Sequence, residues 1–185
     1  MGHQTRVLCL GNELLADDAF GFVAAEELRR RFPQLDVVFT TDSGFHLIDY
    51  LEGVQLLIVV DSIQTGNVSP GSVYVLRSSD IKSPSGPSPH YVGLFETLQL
   101  AKELLHNVPK DVIILAVEAA DCLTLGGEMH EAVKSAVGLV ADLIGEITQD
   151  GKARGDNSDK MLGDKLSDAV KAVTASWGSD RFVVP

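Results

Sequence analysis

The sequence has only two cysteines, Cys9 and Cys122, and they are too far apart to form a Cys-x-x-Cys pair. A disulfide framework is therefore excluded, and we expect a reducing compartment, the cytoplasm. The longest apolar runs, such as residues 56–60, are too short to cross a bilayer. The N-terminus has no basic segment followed by a long apolar one, so we expect neither a signal peptide nor a membrane partner.

Positive charge is also scarce, because 15 Lys and Arg residues stand against 26 Asp and Glu residues, a formal net charge of −11. Such a chain is repelled by phosphates, which argues against nucleic acid as a partner. Three common motifs are missing as well: the H-E-x-x-H zinc helix, the G-x-S-x-G nucleophile turn and the G-x-G-x-x-G dinucleotide loop. Their absence removes the simplest metalloprotease, serine hydrolase and dehydrogenase assignments.

What is present is an alternation of short apolar runs with amphipathic segments of helical length. This alternation predicts an α/β fold, a three-layer sandwich with a mostly parallel, five-stranded twisted sheet and helices on both faces. After residue 149 the composition changes to Asp, Gly, Lys and Ser. We therefore expect a single α/β domain over 1–149 and a C-terminal extension over 150–185, loosely ordered or forming one short docked helix.

Acidic residues follow the first three predicted strands. Asp18 lies in the loop after the first strand, Asp42 follows the second, and Asp61 ends the apolar run of the third. In parallel sheets ligands bind beyond the carboxyl ends of the strands, where these acids are expected. A carboxylate at the end of an apolar run is costly unless it is hydrogen-bonded, paired or bound to a metal. The alternative for the acids of the first loop is capping of the helix that follows, and the alternative for Asp61 is capping of the next turn through Ser62 or backbone N–H groups.

His90 adds an imidazole to this set. Ser88-Pro89-His90 has the pattern of a helix start, with an N-cap, a proline at the first position and a histidine in the first turn. The helix dipole there disfavours the protonated imidazole and leaves it available as a ligand, although a solvated surface histidine is the alternative. Two carboxylates and one imidazole predict a metal site with open positions, which admits Ni, Zn, Mn or Fe.

Three motifs occur together in a recognisable order: Gly11-Asn12 followed by Asp17-Asp18 and Gly21, then Asp61 after an apolar strand, then Ser88-Pro89-His90 before a helix. In order and spacing they resemble the maturation endopeptidases of nickel-iron hydrogenases, over about residues 5 to 147. The resemblance implies that Asp18, Asp61 and His90 are the metal ligands and the catalytic residues.

The resemblance also implies the reaction. Members of this family remove a C-terminal extension from the hydrogenase large-subunit precursor once nickel has been inserted. The nickel would then be supplied by the substrate, and other divalent metals can occupy the same ligands. Asn12, Asp17 and Asp42 are candidates for contacts to these ligands or to the substrate, and no residue is assigned as general base.

Two other functions fit the same residues. One is a non-catalytic, nickel-sensing or chaperone-like protein that binds the hydrogenase precursor through the same three ligands. The other is a metal-independent hydrolase in which Ser62 is the nucleophile and His90 its base. Cleavage of a nickel-loaded precursor separates the first alternative from a protease, and substitution of Ser62 separates the second.

Overall fold

A computed structural model of the protein describes residues 5–77, 94–150 and 159–183. Its sheet has six strands in the spatial order β2-β1-β3-β5-β4-β6, and neighbours run parallel except for β4 and β5. The strands are β1 (Thr5–Leu10), β2 (Asp36–Thr40), β3 (Leu56–Ile63), β4 (Val73–Arg77), β5 (Asp111–Glu118) and β6 (Phe182–Val183). The α/β prediction is confirmed, with one strand more than expected.

Helices cover both faces of this sheet. One face carries α1 (Phe20–Arg31), α3 (Glu131–Asp150) and α4 (Asp159–Trp177), and the other carries α2 (Leu94–Leu104) and a 3-10 helix (Gly44–Tyr50). The spacing of apolar residues explains why α1 packs on the sheet. Its apolar side chains recur every four residues on one face, and this face buries Phe20, Ala24 and Leu28. None of the helices in the described ranges is long and apolar enough to cross a membrane.

Strand β3 is longer than the apolar run that predicts it. We expected it to stop at Asp61, and this was wrong, because the pairing with β5 continues through Asp61, opposite Ala116, and on to Ile63, opposite Glu118. Asp61 is therefore held inside a central strand. The predicted helix start at Ser88-Pro89-His90 lies outside the described residues.

The C-terminal residues 159–183 contribute to the packed structure. Helix α4 buries Leu166, Ala169 and Val173 in the same core as α3. The chain then turns into β6, whose Phe182 pairs with Val73 of β4. Two residues are too few to show an alternating pattern, so sequence periodicity does not reveal this strand.

Two glycines allow the loop after β1 to fold back over its own strand. Gly11 has φ +148°, and a Cβ atom there would stand 2.2 Å from the carbonyl oxygen of Asp18. A Cβ atom on Gly21, in the first turn of α1, would stand 1.9 Å from the carbonyl oxygen of Leu10. Close backbone approach, and not helix propensity, requires glycine at position 21.

We expect Gly21→Ala to lower the free energy of unfolding by about 2–3 kcal/mol or more, because the added methyl group overlaps a backbone atom that cannot rotate away. Gly66→Ala is the matched control. Gly66 has φ +71° with no atom within 4 Å of a Cβ, so only backbone strain of about 1 kcal/mol applies. Urea denaturation measures both, and equal losses would contradict the steric explanation.

Candidate active site

The loop after β1 is a closed structure built on Asn12. The Asn12 backbone N–H donates to the carbonyl of Asp18 over 3.1 Å, and its carbonyl accepts from Leu15 N–H over 3.1 Å. The Asn12 side-chain oxygen accepts from Leu14 N–H over 3.0 Å. Asn12 therefore shapes the loop that carries the two acids, as short polar side chains do in turns.

Asp17 joins this loop to the loop after β5. Its carboxylate is 1% exposed and accepts three backbone N–H bonds, from Ala120 (2.7 Å), Asp121 (2.9 Å) and His130 (2.6 Å). Its own N–H donates to the carbonyl of Asp121 over 2.8 Å. Charge-assisted bonds of this kind are strong, so Asp17 holds the loop between β5 and α3 in place.

Asp18 and Asp61 meet at Ser62. The Ser62 hydroxyl donates to Asp18 Oδ1 over 3.1 Å, and the Ser62 N–H donates to Asp61 Oδ1 over 2.8 Å. All three side chains are buried, at 6%, 0% and 2% exposure for Asp18, Asp61 and Ser62. The fold thus brings together the two predicted carboxylate ligands, which are 43 positions apart in sequence, at one point of the sheet edge.

Cys122 lies beside this group on the loop after β5. Its Sγ is 3.7 Å from the Ser62 Oγ. Burial raises the pKa of the Cys122 thiol to about 11, and the nearby charges of Asp18, Asp17 and Asp61 act in the same direction. The thiol therefore stays protonated at neutral pH.

Asp42 follows β2 and is held by hydrogen bonds to Tyr50 and Thr40. Its carboxylate accepts from the Tyr50 hydroxyl over 2.6 Å, and Thr40 Oγ1 accepts from the Asp42 N–H over 3.0 Å. The Tyr50 hydrogen bond, followed by Thr40, holds the pKa of Asp42 below its usual value. The structure places Asp42 after β2, at the same edge of the sheet as Asp18 and Asp61. His90 lies outside the described residues.

Glu118, at the end of β5, is a fourth buried acid at this edge, and its side chain stabilises a neighbouring loop. Its carboxylate accepts from the N–H groups of Thr65 (2.8 Å) and Gly66 (2.7 Å) and from the hydroxyls of Thr65 (2.7 Å) and Tyr74 (3.2 Å). These bonds fix the loop after β3 and offset the cost of burying the charge.

The donor chemistry of Asp18 and Asp61 suits a divalent cation. Carboxylate oxygens are hard ligands of the kind that divalent cations bind. Within the described ranges, no three His, Cys, Asp or Glu side chains are arranged to hold a metal ion.

Comparison with known proteins now identifies the family. The sequence model of the family described as HycI, hydrogenase maturation protease, matches residues 23–147. This chain belongs to that family. The match confirms the resemblance that the acid and histidine motifs indicated. Proteases are hydrolases, so the chain belongs to a family of hydrolases.

Named relatives agree with this assignment. The hydrogenase expression/formation protein HupD of Bradyrhizobium diazoefficiens is 33% identical over 143 residues, which cover 74% of this chain and 73% of that protein. The hydrogenase 2 maturation protease of Escherichia coli is 30% identical over 138 residues, covering 72% and 77%. The match to HoxM of Cupriavidus necator spans 65% of that relative, so about a third of its length has no counterpart here.

Solved structures show the same fold. The hydrogenase maturating endopeptidase HybD of Escherichia coli superposes with a TM-score of 0.62 at 21% identity, covering 94% of both chains. HybD of Thermococcus kodakarensis gives a TM-score of 0.65 at 22% identity, covering 78% of this chain and 99% of that one.

Sequence reasoning offered Ser62 as a capping partner of Asp61 and as a nucleophile, but it missed the contact between Ser62 and Asp18. In the structure the Ser62 N–H donates to Asp61 and the Ser62 hydroxyl donates to Asp18. The position of Ser62 directly after Asp61 was the signal for the first contact, because a residue next to a buried acid often supplies a hydrogen bond to it. The contact with Cys122 had no signal in the sequence.

We expect Asp17→Asn to lower the free energy of unfolding by about 3 kcal/mol, because an amide NH2 then faces backbone donors and leaves them unpaired. Amide hydrogen exchange at Ala120, Asp121 and His130 should accelerate in step. Glu13→Gln, on an exposed side chain of the same loop, is the control and should change stability by less than about 0.5 kcal/mol. Unchanged exchange at the three amides would contradict the assigned role of Asp17.

We expect Cys122 to be alkylated slowly by iodoacetamide. With a pKa of about 11, its thiolate fraction at pH 8 is about 0.1%, against about 10% for a thiol at 9.0. Alkylation followed by peptide mass mapping should therefore be about a hundredfold slower than for the urea-unfolded chain and should rise up to about pH 11. An alkylation rate that reaches its plateau near pH 8 would contradict the buried, acidic environment assigned to Cys122.

Proposed function

We propose that this protein is the endopeptidase that removes the C-terminal extension of a nickel-loaded nickel-iron hydrogenase large-subunit precursor. The observation that carries the proposal is the meeting of Asp18 and Asp61 at Ser62, in a chain of the hydrogenase maturation protease family. Asp18 comes from the loop after β1 and Asp61 from β3, and both are buried. Burying a polar carboxyl group is costly unless it is hydrogen-bonded, paired or bound to a metal, so two of them at one place are consistent with a functional site.

In this proposal the nickel belongs to the substrate. Asp18 and Asp61 supply two oxygen ligands, and His90 supplies an imidazole nitrogen, so the ligands recognise a precursor that already contains the metal. Helix α2 supports the choice of His90, because α2 packs on the face of β3 that carries Leu57, Val59 and Asp61. His90 stands four positions before the described start of α2. Other divalent ions can occupy the same ligands when nickel is absent.

The chemistry is hydrolysis of one peptide bond. Water adds to the scissile carbonyl, the C–N bond breaks, and the new amine leaves with the transferred proton. The metal at these ligands supplies Lewis acidity, which orients and polarises a carbonyl or a water. Ser62 donates one hydrogen bond to each of these two carboxylates, from its N–H to Asp61 and from its hydroxyl to Asp18, and so helps to hold both in position.

Asp17 is unsuited to the role of general base. Its two oxygens accept three backbone hydrogen bonds and it is 1% exposed, so it has no access to a reacting water. Asp42 and Asn12 are better placed for contacts with the substrate polypeptide, because both are only half-buried at the edge of the sheet.

The described surroundings of Ser62 do not favour the serine hydrolase alternative. Among the described residues, the hydrogen-bond partners of the Ser62 hydroxyl are Asp18 and Cys122, and neither is the histidine that this alternative requires as a base.

We also propose a cytoplasmic location, since both cysteines are free thiols, as is usual in a reducing compartment. The hydrogenase precursor is the partner in the same compartment.

The proposal is tested by incubating purified precursor, with and without nickel, and following its intact mass. We expect a C-terminal peptide to be lost from the nickel-loaded sample alone. Asp18→Ala, Asp61→Ala and His90→Ala should each lower kcat at least about a hundredfold, as loss of a metal ligand does.

Ser62→Ala and Glu103→Gln complete this series. Ser62→Ala should retain measurable cleavage, because it removes a hydrogen bond and no reacting atom, and Glu103→Gln, on an exposed side chain of α2, should cleave like the unchanged protein. Binding of the precursor without any change in its mass would instead favour the non-catalytic, nickel-sensing function. Abolition of cleavage by Ser62→Ala, with Asp18→Ala unaffected, would favour the serine hydrolase.

A further inference from the structure

Three exposed leucines lie on two neighbouring loops of the acid-bearing edge. Leu14 is 60% exposed, Leu123 is 81% exposed and Leu125 is 74% exposed. Single exposed leucines are common on protein surfaces, but a concentration of them on adjoining segments is a feature of binding surfaces. We call these three side chains the leucine surface.

The backbone under the leucine surface is held by hydrogen bonds. Leu15 and Leu125 form an antiparallel bridge. Gly126 N–H donates to the Leu14 carbonyl over 2.8 Å, and Ala16 N–H donates to the Thr124 carbonyl over 3.1 Å. The exposed side chains therefore stand on a fixed frame, so a partner that binds them does not have to order the loops first.

The turn that presents Leu123 is fixed in the same way. Asp121 Oδ1 accepts from Leu123 N–H over 2.8 Å and from Thr124 N–H over 3.1 Å. One residue before Leu123, Cys122 reaches Ser62 at the acid pair. Leu14 is likewise in the loop that carries Asp18. A polypeptide bound to the leucine surface therefore lies beside the segments that carry or contact the proposed metal ligands.

The charge around this surface is one-sided. The loops after β1, β2, β3 and β5, residues 11–19, 41–55, 64–72 and 119–130, contain no Lys or Arg. They contain exposed acids beside the leucines, Glu13 and Glu128. Arg6 and Lys110, by contrast, lie at the opposite edge, where β1 and β5 begin. A complementary partner therefore carries positive charge next to apolar side chains.

We propose that the leucine surface is the docking site for the substrate polypeptide, and that the docked segment carries apolar side chains next to at least one Lys or Arg. This inference rests on the proposed function and adds to it the surface and the chemistry of recognition. A second copy of this chain fits less well, because pairing two such surfaces brings Glu13 and Glu128 of both copies together.

The test compares Leu123→Ser combined with Leu125→Ser against the control Leu104→Ser. Leu104 is 63% exposed but lies at the end of α2, towards the opposite edge. We measure the Kd for the nickel-loaded precursor, and kcat and KM for its cleavage. The double variant should raise Kd and KM by roughly tenfold or more, because two leucines lose their burial, and should leave kcat within about twofold. The control should match the unchanged protein.

A second pair of variants tests the charge. Glu13→Gln combined with Glu128→Gln should weaken precursor binding at low salt and flatten its dependence on ionic strength. Glu103→Gln, an exposed acid at the end of α2, is the control and should change neither quantity. All these side chains are exposed, and unchanged thermal unfolding verifies that each variant is folded.

The outcomes separate the two proposals. Precursor binding without cleavage by the unchanged protein contradicts the proposed function, while loss of that binding in the leucine variant still supports the docking site. Cleavage with Kd and KM unchanged in the leucine variant contradicts the docking site alone.

A dimer of the protein, seen by sedimentation, is a further outcome. If the dimer dissociates in the leucine variant while the Kd for the precursor is unchanged, the leucine surface binds a second copy of the chain and the docking proposal is overturned. No binding and no cleavage by the unchanged protein contradicts both.

Discussion

The contacts of the Asp17 carboxylate are the constraint on which the acid-bearing edge depends. This one side chain satisfies three backbone N–H groups of the loop between β5 and α3, a loop that begins more than a hundred positions later in the chain. Without it, the backbone N–H groups of Ala120, Asp121 and His130 would lose their acceptor, a cost of about 1–3 kcal/mol for each. The loop after β1 and the loop after β5 are therefore one structural unit. Asp18, Cys122 and the leucine surface all take their positions from it.

The acid pair uses the rigidity of this unit. Asp61 is fixed by its place inside β3, a strand paired on both sides, while Asp18 is fixed by a loop that only glycine at positions 11 and 21 allows. Ser62 donates one hydrogen bond to each of the two carboxylates. A site held in this way pays its ordering cost on folding and not on binding, which suits recognition of a metal already bound elsewhere. In the proposed function, such acids would select a substrate that holds its cation in the matching position.

Local patterns in the sequence predicted most of the fold, because its elements have strong local causes. The apolar run of β3 and the four-residue spacing in α1 depend on nearby residues alone. The length of β3 past Asp61 and the existence of β6 depend on pairing with distant strands, so no local pattern shows them. The same holds for the site. The family resemblance already separated Asp18, as a ligand, from Asp17, as a supporting acid. The hydrogen bonds that define the role of Asp17, to the amides at 120, 121 and 130, come from distant residues and have no signal in the sequence.

Recognition of the substrate's nickel by this edge is the central claim, and nickel-edge X-ray absorption tests it most directly. Spectra are compared for the nickel-loaded precursor alone and in complex with this protein, before cleavage. Added oxygen or nitrogen ligands at about 2.0–2.2 Å in the complex, lost when the protein carries both Asp18→Ala and Asp61→Ala, are the predicted result. A nickel coordination sphere that is identical with and without the bound protein would contradict the account.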